Sequence, residues 1–282
     1  MFDFLLKTKT SGGGNTLALC DVGGTKTRTA HVRGEELVDV HVEKTREHPM
    51  EGVARIAHLM QTSAWEGGLS AVVGCIAGHV GKEGVLSDAR NLQQWQGIHI
   101  VEELRRALGV PVHLINDAQC VGLGEALMGA GKGAHTLVYI TVSTGVGGAR
   151  IVEGEIDFSA GDFAVGRIAV GDGDLESMIS GTAVKKRFGV EPWDYASREG
   201  REVLADILAE GLKEVVGRWS PDTIVLGGSM MVGEKNTIPL DRVTHTLQGF
   251  LDTPHMPKLR LAALGDVGGL HGARLYARAL SL

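Results

Sequence analysis

The chain has 282 residues, of which 43% are hydrophobic and 22% charged, so its composition is that of a globular protein with one large or two modest domains. Its formal charge of −6 argues against a nucleic-acid surface. Apolar runs stay well short of the roughly 20 residues that span a bilayer, and residues 1–15 predict a flexible tail rather than a signal peptide. Three cysteines without a C-x-x-C pair indicate a reducing cytoplasm.

The first half of the chain predicts a glycine-turned hairpin followed by strands and helices. Residues 16–20 predict a buried strand, and residues 25–33, rich in Thr and Val without helical periodicity, predict a second one. Gly23 and Gly24 therefore lie in a β-hairpin, whereas the glycines of a Walker A loop or a Rossmann turn begin a helix. The remaining segments predict a third strand, a helix from Pro49, a strand, a helix closed by Gly109 and the strand "VHLIND".

The second half repeats this layout. "VGLGEALMGAG" predicts a helix, and "HTLVYITVSTGVGGARIVEGEI" predicts a strand, a glycine turn and a second strand. The helix "REVLADILAEGLKEVVGRW" and the strand "DTIVLGG" follow. Two units that each begin with such a hairpin predict a duplicated architecture with one phosphate loop per half. Asp-Val-Gly-Gly recurs at 266–269, but the helical "LHGARLYARAL" follows it, so that turn serves a different purpose.

The two hairpin turns have the composition of phosphate-binding loops. Glycine lets backbone N–H groups approach a phosphate closely and form a concave anion site. In the first loop we expect Asp21 to hold Mg²⁺ through water, Thr25 to donate its hydroxyl and Lys26 to supply positive charge. The matching contacts across the cleft are expected from Thr144, Gly145, Gly147 and Gly148. The alternative is a pair of tight hairpins without a ligand, which two matching loops in one chain disfavour.

The segment "LINDAQCVGLGE" ends a strand in Asn116 and Asp117 before a helix of small residues. Taken alone, an aspartate at this place is more often a helix N-cap. With a phosphate loop on either side, a general base for a substrate hydroxyl becomes the better interpretation of Asp117. Asn116 is expected to hydrogen-bond a neighbouring hydroxyl.

Seven motifs resemble those of the ROK family, a group of bacterial sugar kinases and sugar-responsive repressors. They are "DVGGTK", "IAGHVGKEGVLSDARNLQQWQG", "LINDAQCVGLGEALMG", "STGVGGARIVEGEI", "LESMISG", "IVLGGS" and "ALGDVGGLHGA". They occur in the family's order and spacing, from about residue 17 to about residue 277. The resemblance implies an α/β, actin-like (ribonuclease H-like) ATPase fold with two lobes around a central cleft.

The resemblance also implies a division of the chain and a role for each lobe. The N-terminal lobe would comprise residues 16–117 and 266–282, with the first phosphate loop and part of a sugar site. The C-terminal lobe would comprise residues 118–265, with the second loop and a nucleoside site. Because only about sixteen residues precede the first phosphate strand, too few for the repressors' DNA-binding helix-turn-helix, the kinase branch is expected.

The resemblance further implies roles for individual residues of this chain. Asp117 becomes the catalytic base that deprotonates the primary hydroxyl of the sugar. The sugar contacts are expected from Gly78, Asn91, Asn116 and Glu176. The nucleotide contacts are expected from Asp21, Gly23, Gly24, Thr25, Lys26, Thr144, Gly145, Gly147, Gly227 and Gly228, the last two against the nucleoside.

The chain departs from the family pattern after its second hairpin. The family has a Glu-x-Gly-His segment and then a cysteine cluster, in which the glutamate binds sugar while the histidine and three cysteines hold zinc. Here Ala164 replaces the glutamate and Arg167 the histidine, and no cysteine lies between them and Gly181. Arginine stays protonated and cannot bind zinc, so no zinc site is expected. Asp162 is a candidate replacement for the glutamate, and Arg167 either faces an anionic substituent or lies on the solvated surface.

Together these features predict an ATP- and Mg²⁺-dependent kinase that phosphorylates a hexose or an N-acetylhexosamine in the cytoplasm. Its partners would be a small-molecule sugar and a nucleotide, with no nucleic acid and no membrane. The resemblance also suggests a homodimer, whose interface no residue pattern locates. One alternative, favoured by the missing glutamate, is a nucleotide-binding sensor or scaffold without catalysis. Another is a kinase that uses polyphosphate as its donor.

Overall fold

The structure is a computed structural model that describes residues 16–62, 68–160, 164–233, 236–251 and 256–282. The tail predicted for residues 1–15 and the candidate Asp162 lie outside these ranges. The strands are β1 Thr16–Val22, β2 Lys26–Arg33, β3 Glu36–Lys44, β4 Leu69–Ile76, β5 His79–Val80, β6 Leu86–Ser87, β7 Val112–Asn116, β8 Thr136–Val142, β9 Val146–Val152, β10 Glu155–Ile156, β11 Ala169–Val170, β12 Gly173–Asp174, β13 Thr223–Gly227 and β14 Lys258–Leu261. The α-helices are α1 Pro49–Gln61, α2 Ile100–Leu108, α3 Asp117–Leu127, α4 Leu175–Ile179, α5 Gly181–Phe188, α6 Arg198–Trp219, α7 Leu240–Phe250 and α8 Gly268–Ala279.

Two five-stranded sheets share one topology. Their strand orders are β3-β2-β1-β4-β7 and β10-β9-β8-β13-β14. In each sheet the first strand of a hairpin pairs antiparallel with the second and parallel with a later strand, as β1 does with β2 and β4 and β8 does with β9 and β13. The same arrangement of strands in both halves is the architectural duplication that the two glycine-turned hairpins predicted.

Each sheet is covered by helices on both faces, which explains its continuous apolar strands. The helices α1 and α2 cover one face of the first sheet, where Ile56, Trp95 and Leu104 are buried. On the second sheet, α6 contributes a buried stripe at Leu204, Leu208, Leu212 and Val215. The spacing of that stripe, three or four residues, is the helical period that the sequence showed. No helix in the described ranges is long and apolar enough to cross a membrane.

The last helix of each half packs on the opposite sheet. The helix α3 follows β7 but contacts β8 and β9, and α8 follows β14 but contacts β1 and β4. The two helices cross with their backbones in contact, because a Cβ atom on Gly272 would lie 1.8 Å from the carbonyl oxygen of Cys120. The lobe boundaries at residues 117/118 and 265/266 stay a prediction, which this packing supports.

A buried glutamate fixes the end of α3 to the segment that precedes α8. The Glu125 side chain is fully buried. Its Oε1 accepts hydrogen bonds from the N–H groups of Ala263 and Leu264 at 2.8 and 2.9 Å, and its Oε2 accepts one from Ala130 at 2.8 Å. Three backbone donors compensate the cost of burying this carboxylate. The end of α3 is thereby attached to the segment that leads into α8.

Candidate active site

A cavity of about 420 Å³ lies between the two sheets. Its walls come from both halves of the chain, with the Asn116–Asp117 junction on one side and the turn between β8 and β9 on the other. The residues predicted for the site that line it are Gly78, Asn91, Asn116, Asp117, Gly145, Gly147 and Glu176. The structure therefore brings the predicted sugar ligands, the predicted base and the second glycine loop to one cavity.

The two glycine corners meet at Asn91. A Cβ atom on Gly24 would lie 2.6 Å from the Cβ atom of Asn91, and one on Gly145 would lie 3.4 Å from its Nδ2. The corners thus face one another across a single side chain, although they belong to different sheets. A side chain larger than hydrogen at either corner would collide with neighbouring groups, which is a second reason for glycine besides access of its N–H group to phosphate.

The first loop is held by one hydrogen bond within its turn and by one from Thr45, which follows β3. The N–H of Gly23 donates to the carbonyl of Lys26 at 2.9 Å, and the Thr45 hydroxyl donates to the carbonyl of Gly23 at 2.7 Å. Gly24 and Thr25 are exposed at the tip of the turn. Lys26 does not line the cavity and pairs with Asp266 at 2.9 Å, just before α8. The role of Lys26 at a phosphate stays a prediction, and binding would require that ion pair to open.

The carboxylate of Asp21 is buried behind the first loop and held from two sides. Arg28 Nη1 lies 3.2 Å from its Oδ2, and Cys75 Sγ lies 3.5 Å from its Oδ1. Burial raises the pKa of Asp21 above its ordinary value, and the Arg28 guanidinium counteracts that rise. Arg28 lies directly opposite Asp21 in the β1–β2 hairpin, so this partner follows from the register of the predicted hairpin, although the sequence analysis did not name it.

The role of Asp21 at a magnesium ion stays a prediction, since Arg28 and Cys75 already contact its two carboxylate oxygens. Mg²⁺ keeps several waters and binds through one or two carboxylates together with substrate phosphates. Within the described part of the chain, no group of three or more His, Cys, Asp or Glu side chains could hold a metal ion without such help. Asp21 offers one carboxylate of fixed orientation beside the glycine turn, which suits an ion brought in with a nucleotide.

The second loop is fastened to the start of α5. The N–H of Gly181 donates to the carbonyl of Ser143 at 2.7 Å. The hydroxyl of Thr182 donates to the carbonyl of Thr144 at 2.7 Å. In both bonds a carbonyl group of the loop is the acceptor, so the start of α5 holds the peptide units of the turn in place. The segment "LESMISGT" therefore supports the loop, a function that its sequence alone did not reveal.

The helix α3 begins at Asp117, and Asn116 is its N-cap. The Oδ1 of Asn116 accepts hydrogen bonds from the N–H groups of Ala118 and Gln119 at 2.9 and 3.2 Å, so the N-cap alternative for Asp117 is wrong by one residue. The Nδ2 of Asn116 donates to the carbonyl of Gly78 at 2.9 Å and to Oδ1 of Asp117 at 3.1 Å. Asn116 thus positions the neighbouring groups of the site, and its predicted contact with a sugar stays untested.

The carboxyl group of Asp117 has the acidity expected of a general base. Desolvation raises its pKa from 3.8 to about 7, and the negative charge of Asp21 adds to the rise. Hydrogen bonds from the Ala118 N–H and from Asn116 act in the opposite direction. A carboxyl group with a pKa close to neutrality can accept a proton during a reaction and release it afterwards. Such perturbed values are typical of functional sites.

Glu176 lies against the second loop with both carboxylate oxygens engaged. Its Oε2 accepts a hydrogen bond from the N–H of Val146 at 2.9 Å, and its Oε1 accepts one from Arg90 Nη1 at 2.5 Å. A Cβ atom on Gly145 would lie 2.6 Å from the same Oε2. The predicted sugar ligand is therefore fixed in the cavity wall, with one partner from each half of the chain.

Arg167 lies on the solvated surface, one of the two environments expected for it, with about half of its side chain exposed. Its Nη2 lies 2.8 and 2.9 Å from the two carboxylate oxygens of Asp88, so the side chain pairs with a carboxylate of this chain. Ala164 also lines the cavity, where the family has its glutamate. The absence of a zinc site stays a prediction. Arg167, which stands in place of the family's histidine, has an ionic contact with Asp88.

The two glycines predicted for the nucleoside lie beside the second loop rather than in the cavity wall. They follow β13, where a Cβ atom on Gly227 would lie 2.5 Å from the hydroxyl of Tyr139. Gly228 has φ +85°, and a Cβ atom there would lie 2.3 Å from the carbonyl of Val142. Glycine is required at this point by both the backbone angle and the close approach.

The chain has two sheets of the same topology with a cleft between them, and α3 and α8 each pack on the sheet of the other half. This arrangement defines the actin-like ATPase fold. The ROK hexokinase from Thermus thermophilus has this fold with a TM-score of 0.79 and 24% identity, and the match covers 95% of this chain and all of that one. A ROK glucokinase from Streptomyces griseus, solved with glucose and AMPPNP, gives 0.77 and 23% identity, covering 94% of this chain and all of that one.

The ROK family model matches residues 17–164, just over half of the chain, and the chain belongs to that family. A fructokinase from Zymomonas mobilis is 29% identical over 209 residues, which cover 66% of this chain and 68% of that protein. Relatives of this chain thus include sugar kinases. The family match ends at Ala164, the first position at which the sequence departs from the family's sugar-binding segment.

Proposed function

We propose that the chain is an ATP- and Mg²⁺-dependent kinase that phosphorylates a hydroxyl group of a hexose or an N-acetylhexosamine. The observation that carries this proposal is the position of Asp117, whose carboxylate lines one cavity with the second glycine loop and with Asn91 and Glu176. A sugar hydroxyl bound in this cavity would lie within reach of a base and of a phosphate site. The family relationship and the fructokinase relative support the same reaction.

Asp117 would accept the proton of the attacking hydroxyl. Two donors, Asn116 Nδ2 and the Ala118 N–H, act on its Oδ1, which leaves Oδ2 as the oxygen that receives the proton. The Asn116 side chain is itself fixed by Gly78, so the carboxylate is held in one orientation before the substrate binds. Alignment of the base with the hydroxyl is a main contribution that a protein makes to phosphoryl transfer.

The two glycine loops would bind the phosphates of the nucleotide from opposite sides. Gly24 and Thr25 are exposed at the tip of the first turn, and the second turn is held by hydrogen bonds from Gly181 and Thr182. Donors that are already in place stabilise developing charge without reorganisation. A bound Mg²⁺, held through water by Asp21, would supply positive charge to the phosphate oxygens.

The proposal is tested with purified protein, ATP, Mg²⁺ and a panel of hexoses and N-acetylhexosamines. We expect ADP release that depends on the sugar, together with a sugar phosphate detected by mass spectrometry. Reactions without sugar measure background ATP hydrolysis, and reactions with polyphosphate identify the donor. Stabilisation by nucleotide in a thermal-shift assay, without turnover of any sugar, would contradict the proposal and favour the sensor alternative.

The activity should depend on pH through Asp117, whose pKa is about 7. Since the base must be ionised, kcat/KM should fall about tenfold per pH unit below pH 7 and should level off above it. The measurement is the initial rate between pH 5.5 and 9 at saturating Mg²⁺ and constant ionic strength. A rate that stays flat down to pH 5.5 would show that no group of this acidity takes the proton.

Several further expectations are part of this proposal and stay predictions. They are a cytoplasmic location, a nucleotide and a sugar as the small-molecule partners, and a homodimer. The identity of the sugar follows neither from the cavity nor from the relatives, since the position of the family glutamate is Ala164. The panel is therefore broad by design.

A further inference from the structure

Two ion pairs join the halves of the chain at the mouth of the cavity. One connects Arg90 with Glu176, and the other connects Asp88 with Arg167. Asp88 and Arg90 lie in the segment between β6 and the first sheet's helix α2, whereas Arg167 and Glu176 lie in the segments that pack with β9 and α6. Arg90 Nε is also 3.6 Å from Asp88 Oδ1, so the four side chains form one continuous network.

The network balances its charges, with two guanidinium groups and two carboxylates. An anionic substrate would therefore find no surplus positive charge from Arg90 and Arg167, whose partners lie at 2.5 and 2.8 Å. The backbone of Asp88 has φ +47°, an unusual angle for an aspartate, which a specific contact at this side chain can offset. The role of these paired charges is therefore structural, because they connect one wall of the cavity to the other.

We propose that Arg90 is a positioning residue for Glu176, and that the Arg90–Glu176 and Asp88–Arg167 pairs hold the two halves together around the sugar. This inference rests on the proposed function. Glu176 is 22% exposed, whereas the other three side chains are about half exposed. The Val146 N–H fixes one carboxylate oxygen of Glu176 from its own half, and Arg90 fixes the other from the opposite half. Both carboxylate oxygens are therefore engaged only when the two halves are together.

The kinetic test compares R90A and R90K with the wild type. Hydrogen bonds to charged groups contribute substantially, but half-exposed pairs are screened by solvent, so we expect R90A to raise the KM for the sugar roughly five- to tenfold. The KM for ATP and the kcat at saturating sugar should change by less than about twofold. R90K should restore part of the sugar affinity, because a lysine can approach Glu176 Oε1 but cannot also contact Asp88. An unchanged sugar KM in R90A would overturn the inference.

The structural test needs no catalytic activity. Small-angle scattering of the double variant R90A/R167A should show a larger radius of gyration than the wild type, and the wild type should expand as salt is raised. The matched control is R242A, which removes an arginine from a similar pair with Asp206, at 2.7 Å, on the surface of α6 and α7. R242A should scatter like the wild type. A double variant that is as compact as the wild type would refute the closing role of the pairs.

The two tests separate the inference from the proposed function. A wild type that phosphorylates no sugar would reject the function, and the scattering comparison would still decide whether the pairs hold the cleft closed. A wild type that is active, with R90A equally active at low sugar, would reject the inference alone.

Discussion

Replacing Asp117 by asparagine is expected to lower the turnover of sugar by about 10²- to 10⁴-fold, the usual contribution of a general base. Asparagine keeps the size of the side chain and an oxygen that can accept the hydrogen bond of Ala118, now at 2.9 Å. The helix start and the cavity should therefore be preserved. The measurement is kcat with the best sugar of the panel at saturating ATP and Mg²⁺, with nucleotide binding measured in parallel by thermal shift.

The matched control for this substitution is D157N. Asp157 lines the same cavity, but Ser159 and Arg150 hold its pKa below the ordinary value, so it is a weaker proton acceptor than Asp117. Its replacement should leave kcat within severalfold of the wild type. If D117N retained wild-type turnover, or if D157N alone lost it, Asp117 would have to be removed from the catalytic role.

Replacing Asp117 by asparagine should also make the unliganded protein more stable at alkaline pH. The pKa of Asp117 is higher in the folded protein, about 7, than in an unfolded chain, 3.8. The folded state therefore holds this proton more tightly, and that stabilisation is lost as the pH rises through 7. At pH 8 the ionised carboxylate costs up to about 4 kcal/mol, which asparagine avoids. The melting temperature of D117N should exceed that of the wild type at pH 8, by a margin that narrows towards pH 5.

Replacing Gly272 by alanine should lower the free energy of unfolding by about 3 kcal/mol, more than most single substitutions. The added Cβ atom would lie 1.8 Å from the carbonyl oxygen of Cys120, and the contact is between backbones, so no side chain can rotate away. The helices α3 and α8 would have to separate. Chemical denaturation followed by circular dichroism measures the change, at a pH where the wild type unfolds in one step.

A glycine in an open helix surface provides the comparison. Gly217 lies in α6, and a Cβ atom there would meet no other atom within 4 Å. Alanine at that position should stabilise the protein by about 0.5–1 kcal/mol, since it favours the helix without a collision. If G272A and G217A changed stability by the same amount, the tight crossing of α3 and α8 would not exist in solution.

The order and type of the main elements followed from the sequence because they depend on local patterns. The strands that meet in each hairpin and the long helix α6 have apolar residues at the spacing of their own secondary structure. The ends of elements were less accurate, as α3 begins at Asp117 whereas its pattern of small residues suggested a later start. Asn116 caps that helix through its side chain, and the choice between two adjacent polar residues depends on the turn of the backbone.

The partners of some charged side chains could not be predicted, because the two residues are far apart in sequence. Arg167 and its partner Asp88 are 79 positions apart, and Glu125 binds the backbone 138 positions away at Ala263. Neither contact leaves a periodic signal. The residues of the site itself were easier to find, since the glycine turns and the Asn-Asp pair are short motifs whose chemistry can be recognised without knowing the rest of the fold.

The crossing of α3 and α8 has a consequence for how the molecule would move. Asp117 is the first residue of α3, and the contact at Cys120 is three residues further on, about 4.5 Å along the helix axis. If the two lobes rotated about that contact, atoms close to it would move little and distant atoms would move far. Opening and closing would thus leave the proton acceptor almost stationary while the far rim of the cleft swings through the widest arc.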